Sequence, residues 1–270
     1  MFPVPEDVVV ETSVAEGVAE LAADRLWSAG ATALEWRDRD GDVTLVASFP
    51  TSDAARLVAA EMGATLRAVD DSWRDVWKQW AAPVEVGGLV VVPGWREVPI
   101  GAGRLVVRID PGWTFGSGTH ASTRLILAEL DRDPPVGLRV LDVGCGSGIL
   151  GVTAALLGAG SVEAVDIDPG AVGVTEANAE ANEVGEKVRV SATPVDHLKG
   201  SWDLALVNVT AAVHAEIGPS VAGLVGPGGR LLLAGLLPGQ WRHVAGAYPG
   251  MVVAARPVLD GWEGVILRSS

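Results

Sequence analysis

Leu138-Arg-Val-Leu-Asp-Val-Gly-Cys-Gly-Ser-Gly-Ile-Leu-Gly151 decides how this chain of 270 residues reads. Leu138 to Val143 has the apolar content of a buried strand, and Gly144, Gly146 and Gly148 follow at every second position. A helix over Ile149 to Leu157 completes a strand–turn–helix unit. Toward the C-terminus the pattern repeats. Strands are predicted over Ser161 to Asp166, Val188 to Ser191, Leu204 to Val207, Arg230 to Ala234, Met251 to Ala255 and Gly264 to Leu267. Helices are predicted over Ala171 to Asn182 and Ala212 to Leu224. Strands and helices alternating at this spacing imply a mainly parallel, doubly wound sheet covered on both faces. The last two strands have no helix between them, which predicts an antiparallel hairpin at the sheet edge.

Upstream, the first 69 residues form a separate pattern. A strand over Val8 to Glu11 leads to a helix over Val14 to Ala29, with Val18, Leu21, Ala22 and Leu26 near one face and Gly30 closing it. Strands over Ala33 to Trp36 and Val43 to Phe49 flank the turn Arg39-Asp40-Gly41. Pro50, Thr51 and Ser52 open a helix ending near Gly63, and Thr65 to Val69 is a last strand. The order βαββαβ is ferredoxin-like. Residues 70–100 read as a connector. Its helix over Asp70 to Ala81 places Trp73, Trp77 and Trp80 on one face, and a short strand pair follows over Pro83 to Val92 and Arg104 to Ile109. The doubly wound domain is assigned to 101–270.

Composition narrows the function. With 49% hydrophobic and 20% charged residues the chain has apolar surface enough for a core, and disorder is not expected. A formal charge of −14 argues against direct nucleic-acid binding, which needs clustered Lys and Arg, and suits either solubility or a basic partner. Cys145 is the one cysteine, so no internal disulfide forms and a cytoplasmic location is expected. The uncharged run Val143 to Val162 is too rich in glycine for a spanning helix, and no membrane association is expected. A monomer is expected. The histidines His197, His214 and His243 have no metal-ligand spacing, so no metal site is expected.

Glycines between a buried strand and a helix let backbone N–H groups approach a ligand closely, so a nucleotide-like cofactor is expected at the carboxyl edge of the sheet. Gly146-Ser-Gly148-Ile-Leu-Gly151 also fits the dinucleotide pattern GxGxxG, but in that pattern the first glycine ends the strand, and here Gly144 does so. The register Asp142-x-Gly144-x-Gly146-x-Gly148 resembles the first motif of S-adenosylmethionine enzymes. Asp166 ends the second strand, where an acid accepts ribose hydroxyls. Asp168 precedes Pro169 and reads as a helix N-cap. Cys145 reads as a small residue that fits the turn.

Phe115-Gly-Ser-Gly-Thr-His120 with Ala-Ser-Thr123, then Asp142-Val-Gly-Cys-Gly-Ser-Gly-Ile-Leu, then Val165-Asp-Ile-Asp-Pro169 resemble the PrmA family, bacterial methyltransferases of ribosomal protein L11. Trp73-Arg-Asp-Val-Trp-Lys78 and Trp262-Glu-Gly-Val-Ile-Leu267 resemble it too, so the similarity extends over nearly the whole chain. The family usually has Pro-Thr-Thr where this chain has Ala121-Ser122-Thr123. It usually has Ala-Asn and an aliphatic residue where this chain has Val207-Asn208-Val209. The resemblance implies a Rossmann-like methyltransferase sheet with a ferredoxin-like domain in front that recognises substrate. It also implies S-adenosylmethionine as cofactor and methylation of amines on ribosomal protein L11. Cofactor contact is implied for Thr123, Gly144, Asp166 and Asn208, and Phe115, Gly146 and Gly148 are added as candidates from their motifs.

Asn208 is the candidate catalytic residue. Its side-chain carbonyl, at the end of the fourth strand, is placed to accept an N–H from an amine and aim the lone pair at a methyl group; contact with the cofactor or a turn role stands beside that reading. His120 reads either as a proton relay or as a helix cap. Two other functions fit the same residues: a related methyltransferase acting on another protein or a small molecule, and a binding scaffold with a degenerate cofactor domain.

Overall fold

The computed structural model describes residues 8–31, 33–39, 42–49, 51–68, 82–96, 101, 103–112 and 114–269. The connecting helix expected over 70–81, with Trp73, Trp77 and Trp80, lies outside the described residues. The chain divides into two compact units, Met1–Trp80 and Ala81–Ser270. No helix among the described residues is long and apolar enough to cross a membrane.

In the first unit β1 is Val8–Ala15, α1 Ala19–Ser28, β2 Ala33–Arg39, β3 Asp42–Ser48, α2 Ser52–Met62 and β4 Thr65–Ala68. The sheet order is β2-β3-β1-β4, with each neighbouring pair antiparallel. This is the ferredoxin-like order. The first strand is longer than expected: pairing runs from Val9↔Ser48 to Ala15↔Asp42, so Val14 belongs to β1 and not to the helix. On β3, Val43, Leu45 and Ala47 alternate inward and pack with Leu26 and Val58 from the two helices. Thr51 caps α2 by accepting the Ala54 N–H, and Gly63 ends it at φ 63°.

The second unit begins with β5 (Val84–Val86), β6 (Leu89–Pro93) and β7 (Leu105–Ile109). These make three strands instead of the expected pair, because the turn at Gly87 and Gly88 folds the first stretch back on itself. β6 and β7 run parallel. After α3 (Ala121–Arg132) come β8 (Arg139–Val143), α4 (Ile149–Leu156), β9 (Ser161–Val165), α5 (Pro169–Ala181) and β10 (Val188–Ser191). Then follow β11 (Trp202–Asn208), α6 (Ala211–Leu224), β12 (Val225–Leu236), α7 (Trp241–Gly246), β13 (Met251–Ala255), β14 (Val258–Leu259) and β15 (Trp262–Ser269). The sheet order is β10-β9-β8-β11-β12-β15-β13.

β8 to β12 are parallel, and β15 is antiparallel to both its neighbours. The antiparallel pairing of β13 with β15 is the expected one, but β15 lies between β12 and β13, so only β13 forms the edge. Val265, Ile266 and Leu267 of β15 are buried, as fits an interior strand covered on both faces, while β13 at the edge is mostly exposed. α7 was absent from the sequence expectation. Along β8 and β11, Val140, Leu204 and Leu206 face one core layer while Leu141, Val143, Ala205 and Val207 face the other. Strand order reverses between β8 and β11, so their carboxyl ends flank a crevice where ligands of such sheets bind. Gly144 and Asn208 stand at those two ends.

Candidate active site

The glycine turn is held from four directions. Gly144 and Cys145 N–H groups donate to the Val165 carbonyl at 2.8 and 3.1 Å, fixing the turn to the end of β9. The Gly146 N–H donates to Asp166 Oδ2 at 2.9 Å, and the Thr175 hydroxyl to the Gly146 carbonyl at 3.0 Å. From above, the Ser147 N–H and hydroxyl donate to the carbonyls of Phe115 and Gly116 at 3.0 and 2.7 Å. From α5, Asn178 donates through Nδ2 to the carbonyls of Ser147 and Asp110 and accepts the Asp110 N–H. Glycine is required here by space as well as by backbone angle. A Cβ on Gly146, at φ 54°, would lie 2.7 Å from the Phe115 carbonyl oxygen, and one on Gly144, at φ 68°, 2.9 Å from Val209 Cγ1.

A cleft of ≈ 550 Å³ opens in front of the turn. Phe115, Gly144, Gly146, Asp166 and Asn208 all line it, so five of the seven expected site residues come together. Gly148 does not; it opens α4 and packs its Cα against Thr175. Thr123 does not either. It is buried on α3, and its hydroxyl accepts from Asn208 Nδ2 at 3.2 Å. That bond holds the amide end of Asn208 and leaves the carbonyl end as its free acceptor. Asp166 keeps spare acceptor capacity on both oxygens, since Oδ1 accepts only the Asp168 N–H at 3.0 Å.

Three carboxylates, Asp166, Asp168 and Glu216, are in the lining, and among the described lining residues none is Lys or Arg. The cleft therefore favours cationic ligands. Its remaining wall is apolar: Ile167, Val195, Val209, Val213 and Ile217. Sequence reasoning missed this wall, although Ile167 carried a signal, an isoleucine wedged between two acids and here 85% exposed. It also missed Asn178 and Asn182, whose i, i+4 spacing on one helix face was readable. Asn182 brackets Arg108 as Asn178 brackets Asp110, so α5 secures the segment that leads to Phe115.

Asp168 caps α5 through the Gly170 N–H, with Pro169 in the first turn, as expected. His120 caps α3, accepting the Ser122 N–H. Burial pushes the Cys145 thiol up to about 12, with the Asp142 charge adding to it, so the thiol is inert at neutral pH. Asp142 is itself fully buried, accepting the Gly151 N–H through Oδ2 while Oδ1 has no partner. Burial raises its carboxyl to about 7 against the pull of that hydrogen bond.

The sheet order, the register of the glycine turn and an acid after the second strand define a Rossmann-like methyltransferase that depends on S-adenosylmethionine. The family model for ribosomal protein L11 methyltransferase (PrmA) matches residues 42–268. A ribosomal protein L11 methyltransferase of Idiomarina loihiensis is 34% identical over 92% of this chain and 94% of its own length. One from Prochlorococcus marinus is 39% identical over 81% of this chain and 75% of its own. The crystal structure of ribosomal protein L11 methylase from Lactobacillus delbrueckii subsp. bulgaricus superposes with a TM-score of 0.64 at 27% identity, covering 70% of this chain and 99% of that one. The chain belongs to the ribosomal protein L11 methyltransferase family.

Asp142 gives this site a pH signature. An unfolded aspartate titrates near ~3.9, so between there and about 7 the folded chain keeps a proton that the unfolded chain has lost. The Asp142 contribution to stability is complete below the unfolded value and is lost as pH rises through the folded one. Asp142→Asn keeps a carbonyl for Gly151 and has no proton to lose. Relative to wild type, its unfolding free energy in urea should improve by about 1–3 kcal/mol between pH 5 and pH 8. A pH-independent difference would refute the buried acid.

Proposed function

We propose that this chain transfers methyl groups from S-adenosylmethionine to lysine or N-terminal amines of ribosomal protein L11. The observation that carries the reading is the Thr123–Asn208 bond, which holds Asn208 in the lining of an acidic cleft that has no Lys or Arg among its described lining residues. The cleft fits the cofactor: its floor is backbone that a Cβ on Gly144 would obstruct, and Asp166 offers acceptors for a ribose. When bound, S-adenosylmethionine supplies a methyl group activated by a sulfonium.

The chain's own residues orient and desolvate the acceptor. An ammonium has no lone pair, so a lysine with reference pKa ~10.4 or an α-amine near ~8 must first lose a proton. The apolar wall of Val209, Val213 and Ile217 favours the neutral amine by excluding water. Asn208 Oδ1 accepts an amine N–H and turns the lone pair toward the methyl carbon. The bound cofactor would supply the electrophilic methyl group and keep the C–S electron pair on sulfur, while Asn208 would hold the amine and the surplus proton on nitrogen would pass to solvent. Alignment of this kind is the larger part of what a protein adds to such a displacement.

Asn208→Ala should lower the single-turnover methyl-transfer rate about 100-fold at saturating cofactor, with a smaller loss of cofactor affinity. An unchanged rate at saturation would reduce Asn208 to a cofactor contact.

The front unit is assigned the recognition of ribosomal protein L11, since every residue given to the cofactor lies beyond it. The enzyme is taken to act as a monomer in the cytoplasm that does not bind nucleic acid directly; its lone cysteine supports the compartment and its charge of −14 supports the lack of nucleic-acid binding. A fragment that tests the division of labour begins at Ala81, because a cut near Gly101 would strip β5 and β6 from β7. That fragment should bind S-adenosylmethionine in calorimetry and fail to methylate ribosomal protein L11. Full methylation by the soluble fragment would return substrate recognition to the catalytic unit.

A further inference from the structure

Of the four histidines in the chain His214 alone is sealed in the core, at 0% exposure, and the methyl-transfer chemistry above makes no use of it. It lies on α6, whose Val213, Glu216 and Ile217 line the cleft, and its ring spans two partners. Nε2 is 2.9 Å from the Ala234 carbonyl and Nδ1 is 2.7 Å from the Tyr248 hydroxyl. A carbonyl can only accept, so Nε2 carries the hydrogen and the Tyr248 hydroxyl donates to Nδ1. Burial lowers the ring to about 4, which keeps it in this one neutral form at physiological pH.

The bond to Ala234 falls where a strand ladder lapses. β12 pairs with β15 as far as Leu233↔Val265, and the register then shifts before Leu236↔Glu263. Ala234 and Gly235 lie in that irregular stretch. On their other side they meet the site: Ala234 is the register partner of Asn208, and a Cβ on Gly235 would run into the Val209 carbonyl oxygen. The backbone that carries Asn208 is therefore braced by two residues of β12 whose own ladder to β15 is interrupted. His214 supplies the hydrogen bond that steadies them. Thr123 holds the side chain of Asn208 from α3, and His214 holds the strand beside it from α6.

We propose that His214 is a positioning residue for methyl transfer: by holding the Ala234 carbonyl it sets where Asn208 presents its Oδ1 to the acceptor amine. The proposal rests on the assignment of Asn208 above. A displacement of about 1 Å can slow an aligned reaction about 100-fold, so a bond this far from the methyl group still governs the rate. A histidine that served packing alone would give up stability when altered, whichever of its two bonds was lost. A positioning histidine answers differently for each bond, since only the one to Ala234 bears on the strand beside Asn208.

Two substitutions in the full chain separate the bonds. His214→Gln keeps a donor near the Nε2 position for Ala234 and loses the Tyr248 bond, whereas His214→Asn keeps an acceptor near the Nδ1 position for Tyr248 and loses Ala234. Each loses one buried bond, so lost stability alone predicts the same rate for both. Single-turnover transfer to ribosomal protein L11 at saturating S-adenosylmethionine should be about tenfold slower in His214→Asn, with a much smaller change in the cofactor dissociation constant. His214→Gln should stay within about threefold of wild type, and Tyr248→Phe, which loses the same bond and leaves the imidazole in place, should behave as His214→Gln does. Added to Asn208→Ala, His214→Asn should slow transfer little further, because the group it positions is gone. Equal rates in the two histidine variants, or full additivity with Asn208→Ala, would make His214 a packing residue and overturn the proposal. If Asn208→Ala is slow and His214→Asn is not, the proposal fails and the Asn208 assignment stands. An unchanged rate in Asn208→Ala removes that assignment and the proposal with it.

Discussion

The buried amide of Asn178 is the contact on which the rest of the site depends. A glycine turn that leaves backbone bare toward a ligand has few side chains of its own to hold it, so its rigidity must come from neighbours. Asn178 is 3% exposed and joins three backbone groups, the Ser147 carbonyl and both polar groups of Asp110. It thereby locks the turn to the segment that carries Phe115 and Gly116. Ser147 closes the same junction from the other side. Buried polar groups joined in this way are costly to break, since each lost bond leaves a partner desolvated and unpaired. The cleft is therefore preformed on its floor and on the Phe115 side by hydrogen bonds to backbone.

On the opposite side the wall is set by packing and by one neutral histidine. His214 on α6 donates from Nε2 to the Ala234 carbonyl and accepts from the Tyr248 hydroxyl at Nδ1. Ala234 is the register partner of Asn208, so this pair fixes the strand beside the Asn208 amide. Burial lowers His214 to about 4 and raises the Tyr248 hydroxyl, so neither changes charge in the neutral range. His214 and Tyr248 are thus held uncharged beside the site, and among the described lining residues the charged ones are Asp166, Asp168 and Glu216.

Where the sequence was informative, the reason was local chemistry. The spaced glycines after Asp142, the acid after the second strand and the Asp168-Pro169 cap each have one physical use, and each stands where it was expected. The doubly wound order and the ferredoxin-like front unit followed from alternation. What escaped was non-local. The insertion of β15 between β12 and β13 depends on which strands pair along its two edges, which an apolar run alone does not announce. Splitting of the stretch 83–92 depended on a glycine pair read as part of a strand. The bond from Asn208 to the Thr123 hydroxyl joins residues 85 apart in the chain, so no local pattern announces it. Asn178 and Asn182 went unread because buried asparagines on a helix gain meaning only when the strand they bracket is known.

The central claim is that this cleft moves a methyl group from S-adenosylmethionine onto an amine of ribosomal protein L11. Mass spectrometry of purified ribosomal protein L11 after incubation with the enzyme and S-adenosylmethionine bearing a deuterated methyl group tests it most directly. The account predicts heavy methyl groups on lysine or N-terminal nitrogen, and none when the cofactor is omitted. Heavy methyl groups on carboxylate or sulfur atoms, or an unlabelled protein in the presence of folded enzyme that binds the cofactor, would contradict it.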